Sequence, residues 1–528
     1  MSSPGTGAGA PTEIDPALRR IAAVVVLGII MSILDTTIVI VAIDTLGREF
    51  NTTLSSIQWV STGYLLALST VIPLSGWAVE RFGAKRMWMI SLTLFVLGSV
   101  LCGMAWSAPS LIVFRVLQGF GGGMIMPIGM SILAREAGPA RMGRVMSIVG
   151  VPALLAPVLG PVIGGVLVDN LSWRWIFYVN VPVGIVALVL AARLLPAGEK
   201  LVESKLDVVG LALVSPGLAA VVYGLSEAGS SGSLTSPKVV VGLVVGVLLI
   251  AAFTIHALRS DNPLMDLRLY RNRTFTVASL TSFVVGAVLF GAMFILPLYY
   301  QVVRGSSALE AGLLLAPQGL GAMIAMPIGG RIVDRAGAGR VVPVGVLAVA
   351  AGTVAYTQVS ATTPIALLAV SLFVRGIGMG FVMMPAMAAA YTHLSRAEVP
   401  RATTMVNIVQ RVGGSLGTAL FAVVLERHIA ASVPGGGGGG LNSTGGSVAG
   451  TPFAGVIADA FGSTFWVIVG STLLAVIPAI LLPRQGVAAQ LAAQPTPAAQ
   501  PEIATEVESA AAGERSDGTT MAGATKRQ

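Results

Sequence analysis

LDTTIVIVAID, residues 34–44, sets two carboxylates, Asp35 and Asp44, directly after the apolar run IAAVVVLGIIMSI. About 20 apolar residues in a helix cross roughly 30 Å of hydrocarbon, so this segment reads as a membrane span. An acid at membrane depth is costly, which makes it a functional-site hypothesis by default. The two acids stand nine residues apart, about 14 Å along a helix and half a turn around it. They are no carboxylate pair. Asp44 falls at the outer end of the span, where water reaches it, and Asp35 is left as the acid to explain.

Composition places the whole chain in the same solvent. The 528 residues are 55% hydrophobic and 11% charged, with a mean hydropathy of +0.85. Soluble domains carry about a quarter charged residues. Fourteen segments of span length are expected, the first at 20–43 and the last at 464–483. The loops after even-numbered spans hold eighteen basic residues, from Arg81 to Arg401, and the opposite loops hold five, from Arg48 to Arg427. By the positive-inside rule both termini are cytoplasmic. The net charge of +8 is therefore a topology signal, and nucleic acid is not expected as a partner. The single cysteine, Cys102, excludes an intrachain disulfide.

A repeat divides the chain. GWAVERFGAKR at 76–86 is similar to GRIVDRAGAGR at 330–340, and beyond each an arginine enters an apolar span, Arg115 in LIVFRVLQGFGGG and Arg375 in SLFVRGIGMGFVM. The offsets, 254 and 260 residues, agree within loop-length variation. The expected organisation is an N-terminal six-helix bundle at 20–195, two inserted helices at 206–258 and a C-terminal six-helix bundle at 275–483. Residues 1–19 and 484–528 are expected to be disordered cytoplasmic tails. A flexible outer loop is expected at 428–463, with GGGGGG at 435–440 and a short interfacial helix at 451–463. Duplicated halves are the usual construction of secondary transporters, with the site between the repeats.

Four charges lie at membrane depth: Asp35, Arg115, Arg375 and Arg411. By position Asp35 and Arg115 both fall in the outer half, within reach of one cavity. A carboxylate whose surroundings alternate between wet and dry can load and release a proton. Arginine does not titrate usefully and would tune the acid. In GVPALLAPVLGPVIGG, Gly150, Gly160, Gly164 and Gly165 stand beside Pro161 and two further prolines, a composition for close packing, sealing or hinging. In the loop motif, Glu80 and Arg81, Lys85 and Arg86, with Gly76 and Gly83, sit where two spans meet the cytoplasm. They read as a gating element, with Asp334 and Arg335 in the second copy. Gln118, Met124, Arg375, Met379 and Arg411 are candidates to line a substrate cavity.

Taken together these motifs resemble the major facilitator superfamily, in its fourteen-span drug:proton antiporter branch. The resemblance covers roughly 20–483. The loop motif, the span 4 motif with Arg115, Gln118 and Gly119, the span 5 antiporter motif GPVIGG, and WRWIFYVNVPVG at 173–184 occur in the branch's order. The opening stretch is similar to the branch's LDxTIVNVALP, with Ile40 for the Asn and Asp44 for the Pro. The resemblance implies an all-α polytopic fold of two six-helix bundles plus two inserted helices. It also implies proton coupling at Asp35 assisted by Arg115, and export of hydrophobic or amphiphilic compounds.

One buried acid against three arginines favours neutral, zwitterionic or weakly anionic amphiphiles over dications. An exporter of an endogenous lipid or envelope metabolite is the alternative on the same fold. No cofactor is expected, since the proton gradient drives the cycle, and no metal. Small amphiphiles, protons and membrane lipids are the expected partners, an envelope adaptor protein is left open, and a monomer is expected. The expected location is the bacterial plasma membrane. The chain lacks a GxxxxGK[ST] phosphate loop and HExxH, and His256, His393 and His428 are scattered, so neither an ATP-driven pump nor an enzyme is read here.

Overall fold

The computed structural model describes residues 15–138, 141–196, 205–392, 394–395, 397–432 and 448–484. The glycine run at 435–440 and almost all of both expected tails lie outside the described residues. So do the side chains of Asp44, Pro161 and Asp334. Every described element is helical.

In the first half, α1 (Pro16–Glu49) starts where Asp15 accepts from the backbone N–H of Ala17 and proline occupies the first helical position, a combination suited to helix entry. Residues 16–19, expected in a disordered tail, are therefore helical. After the short α2 (Leu54–Ile57), one expected span is divided into α3 (Trp59–Val71) and α4 (Leu74–Phe82), bent by 54°. Pro73 lies at the break, where it lacks an N–H to continue the ladder. Then follow α5 (Ala84–Gly103), α6 (Ala108–Ala137), α7 (Met142–Asn170), α8 (Trp175–Tyr178) and α9 (Asn180–Leu194). The inserted pair is α10 (Val208–Ser231) and α11 (Pro237–Arg259). The second half holds α12 (Arg273–Val302), α13 (Ala308–Leu314), α14 (Ala316–Ala336), α15 (Ala338–Val354), α16 (Ile365–Ala390), α17 (Val399–Ser432), α18 (Ala454–Leu474) and α19 (Val476–Ile480).

Among the described residues, twelve helical segments are long and apolar enough to cross a membrane, or thirteen with the bent pair α3–α4 as one span. The fourteen expected spans are thus not all matched. The helix over the expected span 145–168 is α7, 29 residues long, and it is not among the twelve. Several of its side chains lie outside the described residues. The expected interfacial helix at 451–463 is corrected as well: α18 begins at Ala454 and runs unbroken into the last span, because the apolar run extends that far.

The repeat is visible in the backbone. Gly83, between α4 and α5, has φ +87°, and Gly337, between α14 and α15, has φ +82°, a region that glycine enters at no steric cost. Within each half, glycines bring helix backbones together, as apolar solvent requires when packing rather than hydrophobicity drives association. A Cβ on Gly98 of α5 would lie 2.6 Å from Gln118 Cα of α6, and one on Gly352 of α15 would lie 2.7 Å from Arg375 Cα of α16.

The halves meet where α7 packs on α14 and α16, and where α17 packs on α4 and α6. The inserted α10 lies across the seam, touching α3 and α17. Tyr223 of α10 stacks on Trp59 of α3 with centroids 6.1 Å apart. Its Val221, Leu225 and Ala228 cluster with Ala419 of α17. The inserted helices are tied to each other by Asp207, which caps α10 and lies 2.8 Å from His256 Nε2 of α11.

Candidate functional site

Asp35 lies on α1 with no exposure, and Arg115 of α6 is 1% exposed. Arg115 Nη1 donates to Asp35 Oδ2 at 2.6 Å and to Gln118 Oε1 at 2.7 Å, and its Nε donates to the carbonyl of Val60 at 3.2 Å. The other carboxylate oxygen accepts from Gln118 Nε2 at 2.9 Å and from Asn180 Nδ2 of α9 at 2.8 Å. Both amides also donate to Ser99 Oγ of α5, at 2.7 and 3.2 Å. The guanidinium lies 4.0 Å from the ring centroid of Tyr64 on α3.

Five helices thus converge on one acid. Every group in hydrogen-bonding contact with its oxygens is a donor.

The structure brings Asp35 and Arg115, which sequence position puts at one depth, into direct contact. Asn180 and Ser99 were not anticipated. Asn180 left a signal, a lone amide inside the apolar YVNVPVG stretch. Ser99 left none, because serine is common in spans. Gln118, expected on a substrate cavity, belongs to this buried network instead.

At the end of the bundle that carries the basic loops, the two halves are fastened. Arg401 of α17 donates from Nε to Glu80 Oε1 at 2.9 Å and from Nη2 to Oε2 at 3.0 Å, a two-pronged contact from α17 to α4. One turn on, the Ser75 and Thr404 hydroxyls lie 2.9 Å apart. Gly76 lets α4 come this close, since its Cβ would lie 3.0 Å from Thr404 Oγ1 and 3.3 Å from Arg401 Cα. Lys85 Nζ donates to the carbonyls of Ala192 and Leu195, closing the C-terminus of α9. Arg81 is half-buried, and Arg86 and Arg335 are exposed.

The glycines of the antiporter motif divide between two contacts. At Gly150 a Cβ would meet Met384 of α16 and Met326 of α14, so this glycine serves the seam between halves. Gly160 abuts Thr37, and a Cβ on Gly164 would lie 3.1 Å from the carbonyl of Ile38. These two hold α7 against the part of α1 that follows Asp35. Gly165 faces open space.

The remaining candidates do not gather in one place. Arg375 is fully buried in the second half and donates to Gln318 Oε1 of α14 at 2.6 Å. Its Nε and Nη2 have no hydrogen-bond partner among the described residues. One turn further along α16, Met379 joins Met383 on an apolar cavity walled by valines of α12, α15 and α16. Met124 is buried in the core. Arg411, half-buried on α17, lies on the same helix face as Thr404, which meets Ser75 of the first half.

Comparison with known proteins agrees with this architecture. The family model described as Major Facilitator Superfamily matches residues 25–418. The chain belongs to the major facilitator superfamily. Among curated relatives in the superfamily, the multidrug resistance protein B homolog of Mycobacterium tuberculosis is 45% identical over 418 residues, 79% of this chain and 77% of that protein. The multidrug export protein EmrB of Haemophilus influenzae is 31% identical over 393 residues, 74% of this chain and 77% of that protein. Among solved structures of the superfamily, the proton:xylose symporter XylE superposes with a TM-score of 0.60 at 14% identity, over 90% of this chain and 98% of that one. That likeness is one of fold. The protein is therefore a multi-pass membrane transporter and not an enzyme.

Proposed function

We propose that the protein is a proton-coupled exporter of hydrophobic or amphiphilic compounds from the bacterial cytoplasm, with Asp35 as the proton carrier and Arg115 as its counter-ion. The observation that carries this reading is the sealed acid. Asp35 has zero exposure and three side-chain donors, an arrangement whose hydrogen bonding depends on protonation. Binding a proton removes the charge that Arg115 and the two amides are ordered around. The donors must reorient, and because they stand on α6 and α9, a change at one oxygen reaches helices of the whole first half. Leaving one member of a buried pair without its partner costs about 3–5 kcal/mol, enough to shift a two-state equilibrium by two orders of magnitude or more.

On this reading the positive-inside rule assigns the Glu80–Arg401 end to the cytoplasm, and the conformation is closed on that side. Reopening must release the two charge-assisted contacts and part Gly150 from Met384 and Met326. Counting α7 and the bent pair gives fourteen spans, arranged as the bundles 20–195 and 275–483 with the inserted pair between them. Relatives named for multidrug resistance and export support the cargo class.

Dye efflux from proteoliposomes under an imposed proton gradient tests the assignment. Asp35→Asn is expected to abolish uphill export while leaving downhill exchange of the dye in place. Retained uphill export in that variant removes Asp35 from coupling.

A further inference from the structure

We infer that Arg411 is the recognition point for the anionic group, a carboxylate, sulfonate or phosphate, of an amphiphilic substrate. The inference rests on the export reading above and adds the charge of the cargo to it.

The face of α17 that carries Arg411 is a polar stripe. Thr404, Asn407, Arg411, Ser415 and Thr418 recur at intervals of three and four residues, which aligns them along one side of a helix. The opposite side, with Leu416 and Leu420 exposed, suits lipid. Thr404 lies against Ser75 of the first half, so the stripe points into the seam between the halves. Its character changes along its length. Thr404 and Asn407 are buried, whereas Arg411, Ser415 and Thr418 are each partly exposed. Arg411 therefore stands where the seal gives way to an accessible wall, about 10 Å beyond Thr404.

The charges at this seam select the ligand. Among the described residues two carboxylates are fully buried, Asp35 and Glu80. Asp35 is held by Arg115 and two amides, and Glu80 by both prongs of Arg401. Neither is available to a cationic ligand. No hydrogen bond or ion pair joins Arg411 to any described residue. An uncompensated arginine at membrane depth costs about 2.5–3.5 kcal/mol on insertion scales. A bound anion offsets that cost, and the planar guanidinium fork matches a carboxylate, sulfonate or phosphate with two parallel bonds.

The test is equilibrium binding to the purified full chain in neutral phosphatidylcholine nanodiscs, read by dansyl fluorescence. Dansylglycine is the anion, dansylglycinamide its neutral analogue and monodansylcadaverine the cation. Wild type is expected to bind dansylglycine at least tenfold tighter than either of the others. Arg411→Gln is expected to remove that preference while leaving dansylglycinamide affinity within twofold, and Arg411→Lys to keep part of it. Absent or reversed preference in wild type overturns the inference, as does an unchanged preference in Arg411→Gln. Repeating the titration with phosphatidylglycerol in the nanodisc separates two sources of the same chemistry. Competition supports the anion site with a lipid headgroup as occupant, and undiminished binding supports it with a free amphiphile. No gradient is applied, so this result stands apart from the Asp35→Asn efflux assay. Gradient-driven export without anion preference sinks only the charge assignment, and anion preference without gradient-driven export sinks only the coupling.

Discussion

The two halves carry an arginine at matching places and treat it differently. Arg115 in the first half has its charge met by Asp35, its second acceptor in Gln118 and its face on Tyr64. Arg375 in the second half has one side-chain acceptor, Gln318, which stands at the same 254-residue offset from Tyr64 as Gly337 does from Gly83. At offsets of 254 to 260 from Asp35 the second half reads LFGAMFI, residues 289–295, with no acid. Two hydroxyls, those of Tyr300 and Tyr356, bond to each other at 2.8 Å in this half instead. Both copies hold the cation, and among the described residues only the first has an acid facing it. A buried pair that can be broken by one proton is a switch, and an arginine without an acid is a fixed charge. On the proposed reading, the first half holds the acid that couples to the proton, and the second half holds an arginine with no acid against it among the described residues.

Removing each arginine gives the largest contrast. Arg115→Met leaves the Asp35 carboxylate buried with only amide donors, and a loss of about 3–5 kcal/mol is expected. Arg375→Met removes an unpaired buried charge at the cost of one hydrogen bond to Gln318, so stability is expected to hold or rise. Thermal unfolding in detergent compares the two directly. Equal losses would mean that Arg375 has a counter-charge comparable to Asp35, and the asymmetry between halves would be gone.

A second contrast concerns the seam at the basic end. Glu80→Gln replaces a two-pronged charge-assisted contact by a neutral one, and weakening of the seam by about 1.5–3 kcal/mol is expected. Amide hydrogen exchange in α4 and in the first turns of α17 should accelerate by tenfold or more. Asp334→Asn, at the corresponding place of the second repeat, is expected to leave that exchange unchanged, because α14 packs instead on α7, α15 and α16. Acceleration by both variants would show that the two copies of the motif act on one latch.

Local sequence and long-range packing share out these contrasts unequally. Span length and the recurrence of the loop motif are properties of local sequence, so the helical membrane fold and the two halves were legible. Depth along a helix follows from residue count, which was enough to bring Asp35 and Arg115 to one level. Rotation about the helix axis and the choice of neighbour are not local. The contact between Asp35 and Asn180 joins residues 145 apart in sequence, and that between Glu80 and Arg401 joins residues 321 apart. Both depend on which helices pack together, and so Gln118 was placed on a cavity when it belongs to the acid. A proline break such as that at Pro73 turns one hydropathy peak into two short helices, and hydropathy alone does not register the bend.

The smallest effects should fall where the halves are most alike. Gly98 and Gly352 also stand 254 residues apart, and each admits the helix that bears the arginine. An added methyl group meets Gln118 Cα in one case and Arg375 Cα in the other, both backbone atoms that cannot rotate aside. Gly98→Ala and Gly352→Ala are each expected to cost about 1–3 kcal/mol through overpacking, with nearly equal shifts in thermal unfolding. Their functional consequences should part, because displacing α6 moves Gln118 and Arg115 off Asp35, while displacing α16 moves an arginine that holds no acid. Gradient-driven dye efflux is therefore expected to fall at least tenfold in Gly98→Ala and less than threefold in Gly352→Ala. Parallel losses of efflux would show that the second half shares in coupling despite its missing acid.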